Sequence, residues 1–297
     1  MTDPLTPAAR ALCDAMTAAF PPPGDAHALR AAARAGLRPP APSPVTAEDR
    51  TAAGVAVRVY TLPTPAAATA PVVVFAHGGG WVLCDLDTHD GLCRALAARG
   101  GATVVSVDYR RAPEHRFPAA EDDVHAVLTW AAAAHPGRAL VVAGDSAGGG
   151  LAAAAELRAR DGDGPQVAGQ LLFYPVLDHR LDGRSAQAYA EGFFHTTAHM
   201  RWYWEQYLGP DGDPVRASPG LAARLDGLPP ALLVLADCDP LRDEGLAYAR
   251  RLSSAGVTAH VQLHTGVFHG FLGARGVLPE ADRALDGAAA WLATLTA

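Results

Sequence analysis

Residues 141–150 read VVAGDSAGGG, a run of valines that gives way to a run of glycines with one serine, Ser146, at the changeover. The G-x-S-x-G pattern (Gly144 to Gly148) leaves an apolar stretch of strand type and opens an alanine-rich stretch of helical type, the setting of a nucleophile elbow. A turn that tight tolerates only tiny flanking side chains, and the two glycines supply that room. The helix that follows aims its unpaired N–H groups at the same spot. A serine held there is placed to attack an acyl carbonyl. The competing reading of Ser146 is an ordinary helix N-cap.

A serine nucleophile needs a base, an acid to orient that base, and donors for the oxyanion it creates. The stretch FAHGGGWV (75–82) also comes off an apolar run. Three glycines let the backbone approach a ligand and turn N–H groups inward, so Gly78 and Gly79, with the Ala147 amide, are the candidate oxyanion donors; otherwise the stretch is a glycine-rich turn. Asp237 and Asp239 follow the apolar run 231–236. Asp239 precedes Pro240 and suits an N-cap, but it equally suits acceptance of a histidine Nδ1–H; spacing alone leaves Asp237 as a rival. The chain order of such hydrolases is serine, acid, histidine. Only His260, His264 and His269 of the twelve histidines follow the acid. The first two lie within an alternating segment, whereas His269, in GVFHGF, falls on the loop just beyond it and is the candidate base.

These positions require elements that bring them together. Strand patterns are read at 55–62, 71–77, 102–109, 139–144, 170–177, 231–236 and 259–264. The middle five are continuously apolar, as strands covered on both faces are. Helical patterns lie at about 87–99, 118–134, 147–160, 240–255 and 280–296. Alternating strands and helices predict a mostly parallel sheet with helices on both faces, an α/β fold, and ligands bind such sheets at the carboxyl ends of the strands. Before the first strand, helices are read to Phe20 and from Ala26 to Gly36, then an extended linker in LRPPAPSPV (37–45). One strand-free segment breaks the alternation. It holds a helix at about 198–208 with Trp202, Tyr203, Trp204 and Tyr207, and is read as an inserted helical cap packed beside the N-terminal helices. The expected division is 1–45 and 181–215 as cap, with 46–180 and 216–297 as the catalytic domain. Trp81, Phe193, Phe194 and Trp202 are candidates to line a substrate pocket, their alternative being core.

Composition narrows the class further. The 297 residues are 49% hydrophobic with a net charge of −7, enough for a large core and against a nucleic-acid partner. Arginine supplies every basic residue; without lysine there is no Schiff base, P-loop lysine or Ser-Lys dyad. Cys13, Cys84, Cys93 and Cys238 are scattered without metal-type spacing. No apolar stretch spans a bilayer, and the N-terminus does not read as a signal peptide. The expectation is a cytoplasmic protein with no cofactor, no metal and no membrane insertion, acting on a small molecule; a homodimer stays open.

Together HGGGW (77–81), DYRRAPEHRFPAAEDD (108–123), GDSAGG (144–149), YP (174–175), SP (218–219), DPLRDEG (239–245) and HGF (269–271) resemble the hormone-sensitive-lipase-like esterases of the α/β-hydrolase superfamily, in family order and spacing over roughly residues 70–275. The resemblance implies an eight-stranded, mostly parallel sheet with a helical cap, and a serine carboxylesterase acting on short acyl chains. It implies Asp239 as the acid and His269 as the base. Arg111 departs from the family's usual aliphatic residue, and Asp237 from a small one. An amide, N-acetyl or lactone hydrolase with the same triad is the nearest alternative, and a non-catalytic small-molecule receptor on the same scaffold a second.

Overall fold

The computed structural model describes residues 3–37, 43–64 and 69–295; most of the extended linker read at 37–45 lies outside them. The chain runs α1 (Pro7–Ala19), α2 (Ala26–Ala35), β1 (Thr46–Ala52), β2 (Val55–Thr61), β3 (Val72–Ala76), α3 (Leu86–Gly100), β4 (Thr103–Val107), α4 (Ala119–Ala134), β5 (Leu140–Asp145), α5 (Ala147–Arg158), β6 (Gly169–Phe173), α6 (Arg184–Ala188), α7 (Thr197–Leu208), β7 (Ala231–Cys238), α8 (Arg242–Ser254), β8 (Ala259–Phe268) and α9 (Pro279–Thr294). The eight strands form one sheet in the order β1-β2-β4-β3-β5-β6-β7-β8. β1, β2 and β4 pair antiparallel, and the rest are parallel.

β3, β4, β5 and β6 are buried along their whole length. Their alternate side chains feed two separate cores. Val72, Val74, Val105, Val142 and Leu172 pack on one side with residues of α4, α5 and α8. Val73, Phe75, Val104, Val141 and Leu171 pack on the other with residues of α3 and α9. The period-two geometry of a strand explains this: covered on both faces, a strand has no polar side to show, and its sequence reads as an unbroken apolar run. Two strands differ from the sequence pattern. β1, TAEDRTA, is mostly exposed and carries no apolar alternation; it exists because the Ala53-Gly54 turn, with both residues at positive φ, folds it back onto β2. β8 runs to Phe268, four residues beyond the alternating stretch, where its last residues become buried.

Segment 181–215 carries α6 and α7. Its loop at 192–196 meets α1 and the residue that follows it: Arg10 and Cys13 donate to the Gly192 carbonyl at 2.7 and 3.7 Å, and the Phe20 ring lies edge-on to Phe194 at 5.5 Å.

One buried group makes stability depend on pH. Glu156, on α5, is 3% exposed, and its Oε2 has no partner among the described residues. Burial raises its pKa to about 8, only partly offset by Arg160. The folded protein therefore keeps a proton that the unfolded chain releases near its ordinary value of 4.5. Stability from this group is complete below that value, falls as pH rises toward 8, and levels off beyond, a loss on the order of 4 kcal/mol. Glu156→Gln should raise the melting temperature at pH 8 by about 5 °C or more and leave it nearly unchanged at pH 5. Equal effects at both pH values would show that the charge is not the cause.

Candidate active site

β5 delivers Asp145 and Ser146 directly into α5. Ser146 adopts φ 54°, ψ −121°, a backbone state that costs on the order of 1–3 kcal/mol and needs surroundings that enforce it. The enforcement is visible. A Cβ on Gly148 would fall 2.0 Å from the Ala76 carbonyl oxygen of β3, and one on Gly144 would fall 2.3 Å from the Gly148 carbonyl. Only glycine at both positions lets the turn close against the neighbouring strand. Ser146 N–H donates to the Phe173 carbonyl at 2.9 Å, and its own carbonyl accepts from Val176 N–H at 3.0 Å. The serine occupies the N-cap position of α5, yet its hydroxyl caps nothing.

That hydroxyl lies 2.9 Å from His269 Nε2. His269 follows the last residue of β8 and precedes Gly270 at φ 80°. Its Nδ1 lies 2.8 Å from Asp239 Oδ2. The other oxygen, Asp239 Oδ1, accepts Leu241 N–H at 2.8 Å, so the carboxylate serves both as turn acceptor and as partner of the imidazole. Donation from Nδ1 to a carboxylate leaves Nε2 as the acceptor facing the serine. The three groups are 8%, 2% and 1% exposed, and Tyr174 lies edge-on to His269 at 4.9 Å.

Asp237 is elsewhere. β7 bulges between Ala236 and Cys238, and Asp237 Oδ1 accepts Gly266 N–H at 2.9 Å, tying the bulge to β8. His260 and His264 sit on the edge strand, His264 tilted against Phe271.

The oxyanion assignment needs a correction. Gly78 N–H already donates to Asp145 Oδ1 at 2.8 Å, so it is not free to meet an oxyanion. Among the described residues, the amides of Gly79, Gly80 and Ala147 keep no acceptor, and these three are the available donors. Gly79 and Gly80 take positive φ, 107° and 59°; Gly80 lies so close to the Tyr203 ring that a Cβ would penetrate it. The supporting groups were invisible in the sequence pattern. His89 Nε2 lies 3.2 Å from Asp145 Oδ1, with Thr88 Oγ1 against His89 Nδ1. Burial pushes against ionisation of Asp145, but His89 and the Gly78 amide hold its carboxyl below the ordinary value. His77 stacks on Tyr109 at 4.2 Å, and Tyr109 donates to the His77 carbonyl. Burial lowers the His77 pKa to about 3, so at neutral pH the loop carries no charge on this residue.

The proposed pocket aromatics divide. Phe194 is buried beside the site, its ring 4.2 Å from His195. Phe193 instead meets Tyr189 and lies under the Arg10 guanidinium. Trp81 stacks flat on Tyr207 at 4.2 Å and leans on Trp204, pinning α7 to the glycine loop, and Trp202 packs edge-on to Tyr203. His195, whose ring is 5.5 Å from His269, has no signature in the sequence, because a lone loop histidine carries no periodic signal. Among the described residues no cluster of His, Cys, Asp or Glu is arranged to hold a metal ion, and no helix is long and apolar enough to cross a membrane.

Comparison with known proteins agrees with this arrangement of strands. The family described as α/β hydrolase fold matches residues 73–273. The chain is 43% identical to the esterase LipI of Mycobacterium tuberculosis over 249 residues, covering 80% of this chain and 77% of that protein. It is 39% identical to an ethyl acetate hydrolase of Pseudomonas putida over 241 residues, covering 77% and 75%. A crystal structure of a thermostable esterase from Pseudomonas putida ECU1011 superposes with a TM-score of 0.91 at 33% identity, covering all of this chain and 99% of the other.

Proposed function

Given that the chain belongs to the hormone-sensitive-lipase-like esterases of the α/β-hydrolase family and is an ester-cleaving serine hydrolase, we propose that it is a carboxylesterase for short-chain acyl esters working through Ser146, His269 and Asp239. The observation that carries this is the unbroken hydrogen-bonded chain from hydroxyl to imidazole to carboxylate, at 2.9 and 2.8 Å. In this reading Ser146 Oγ attacks the ester carbonyl while His269 Nε2 takes its proton. Asp239 holds the ring in its tautomer and stabilises the imidazolium. The amides of Gly79, Gly80 and Ala147 receive the oxyanion; each such donor contributes about 10²–10³ in rate. The imidazolium returns the proton to the leaving alkoxide, an acyl-serine remains, and a water activated by His269 releases the acid.

We take α1 and the 181–215 segment as part of the cap over this site, on the strength of the Arg10, Phe20 and Gly192 contacts. The preference for short acyl chains draws on the near-complete enclosure of Ser146 and on a relative that is named for ethyl acetate, an ester with a two-carbon acyl group. Against a series of 4-nitrophenyl esters, kcat/KM should be highest from acetate to butanoate and at least tenfold lower for decanoate, since enclosure penalises groups that cannot be seated. A maximum at decanoate would refute the chain-length reading.

A further inference from the structure

Among the described residues, two buried polar atoms close to the site, His195 Nδ1 and the Tyr203 hydroxyl, have no hydrogen-bond partner. His195 and Tyr203 pack edge-on with ring centroids 6.1 Å apart. His195 stands edge-on to His269, and Tyr203 backs Gly80 of the glycine loop. His195 therefore stands beside the base, and Tyr203 behind Gly80, one of the proposed oxyanion donors. Trp81 and Trp204 Nε1 are orphaned in the same cluster. Each unmet buried polar group costs about 1–3 kcal/mol, and folded proteins hold few of them. Burial and the neighbouring His269 and His199 push the His195 pKa far down, so this ring is neutral and serves as a hydrogen-bonding group.

Resting on the esterase reading above, we infer that His195 and Tyr203 form a polar recognition pair that selects esters bearing a hydroxyl or carbonyl group near the scissile bond over purely alkyl esters. A substrate oxygen within hydrogen-bonding reach of both would satisfy the two orphaned atoms, whereas an alkyl group would leave them unmet. That asymmetry is what lets a buried polar site discriminate strongly against an analogue lacking the polar group. The two tryptophan N–H groups are held by stacking on or beside Tyr207 and are not assigned to the pair.

The polar group can belong to the acyl or the alcohol part, and two isosteric comparisons separate these. The acyl arm sets 4-nitrophenyl 3-hydroxypropanoate against 4-nitrophenyl butanoate; the alcohol arm sets 2-hydroxyethyl butanoate against propyl butanoate. The measured quantity is the ratio of kcat/KM within each arm for wild type, His195→Leu and Tyr203→Phe. Within one preparation this ratio is independent of the folded fraction, and a merely structural role would lower both members alike. The wild-type ratio should favour the hydroxyl ester in one arm, and each substitution should reduce it about five- to tenfold. Ratios that neither substitution changes in either arm would overturn the inference, as would a wild type preferring the alkyl ester in both. Such a result would leave the esterase reading standing, because hydrolysis itself would still be seen. A wild type that cleaves none of the four esters would overturn both.

Discussion

Ser146→Ala should lower kcat by at least about 10⁴-fold while leaving the far-ultraviolet circular dichroism and the melting temperature close to wild type. The size follows from how triads behave: without the nucleophile only the oxyanion donors and substrate binding remain, and members of the unit do not contribute additively. The intact fold follows from the local structure. The hydroxyl caps no helix, and what fixes the turn is backbone: Ser146 N–H to Phe173, Val176 N–H to Ser146, and the close approach of Gly148 to Ala76. Alanine keeps all of these. Steady-state kinetics on a 4-nitrophenyl ester checks it, and a variant retaining wild-type turnover would remove Ser146 from the mechanism.

The second large effect separates two aspartates two residues apart. Asp239→Asn should cost about 10⁴-fold in kcat, because an amide N–H₂ facing Nδ1 favours the tautomer whose proton sits on Nε2, where a base is needed. Asp237→Asn should cost less than about tenfold: its side-chain oxygen still accepts Gly266 N–H, a neutral hydrogen bond replacing a charged one. Losses of equal size, or in the reverse order, would overturn the assignment of Asp239 as the acid.

How far the sequence reveals this arrangement depends on the kind of signal. The elbow at Ser146 is legible because a tight strand-to-helix turn against β3 dictates glycine at two spaced positions, a local constraint. His269 is legible because the edge pattern of β8 ends just before it. The difference between Asp237 and Asp239 is not, since it arises from a bulge in β7 that spacing does not encode. The oxyanion donors are shifted by one residue for a related reason. Asp145 reaches from the end of β5 to the amide of Gly78, and that contact exists only because β3 and β5 are neighbours in the sheet. β1 escapes because a polar edge strand owes its existence to its partner and its turn rather than to apolar periodicity. His195 escapes because it lies in a loop, and only the packing of that loop against the end of β8 brings its ring to the base.

Most direct for the account as a whole is covalent trapping by a short alkyl phosphonate ester of 4-nitrophenol, read by mass spectrometry of the intact chain and of its peptides. The arrangement of Ser146, His269 and Asp239 predicts one adduct per chain, on Ser146, formed in step with the loss of esterase activity and absent in Ser146→Ala. Inactivation with the adduct on another residue, or full activity in a chain modified at Ser146, would contradict it.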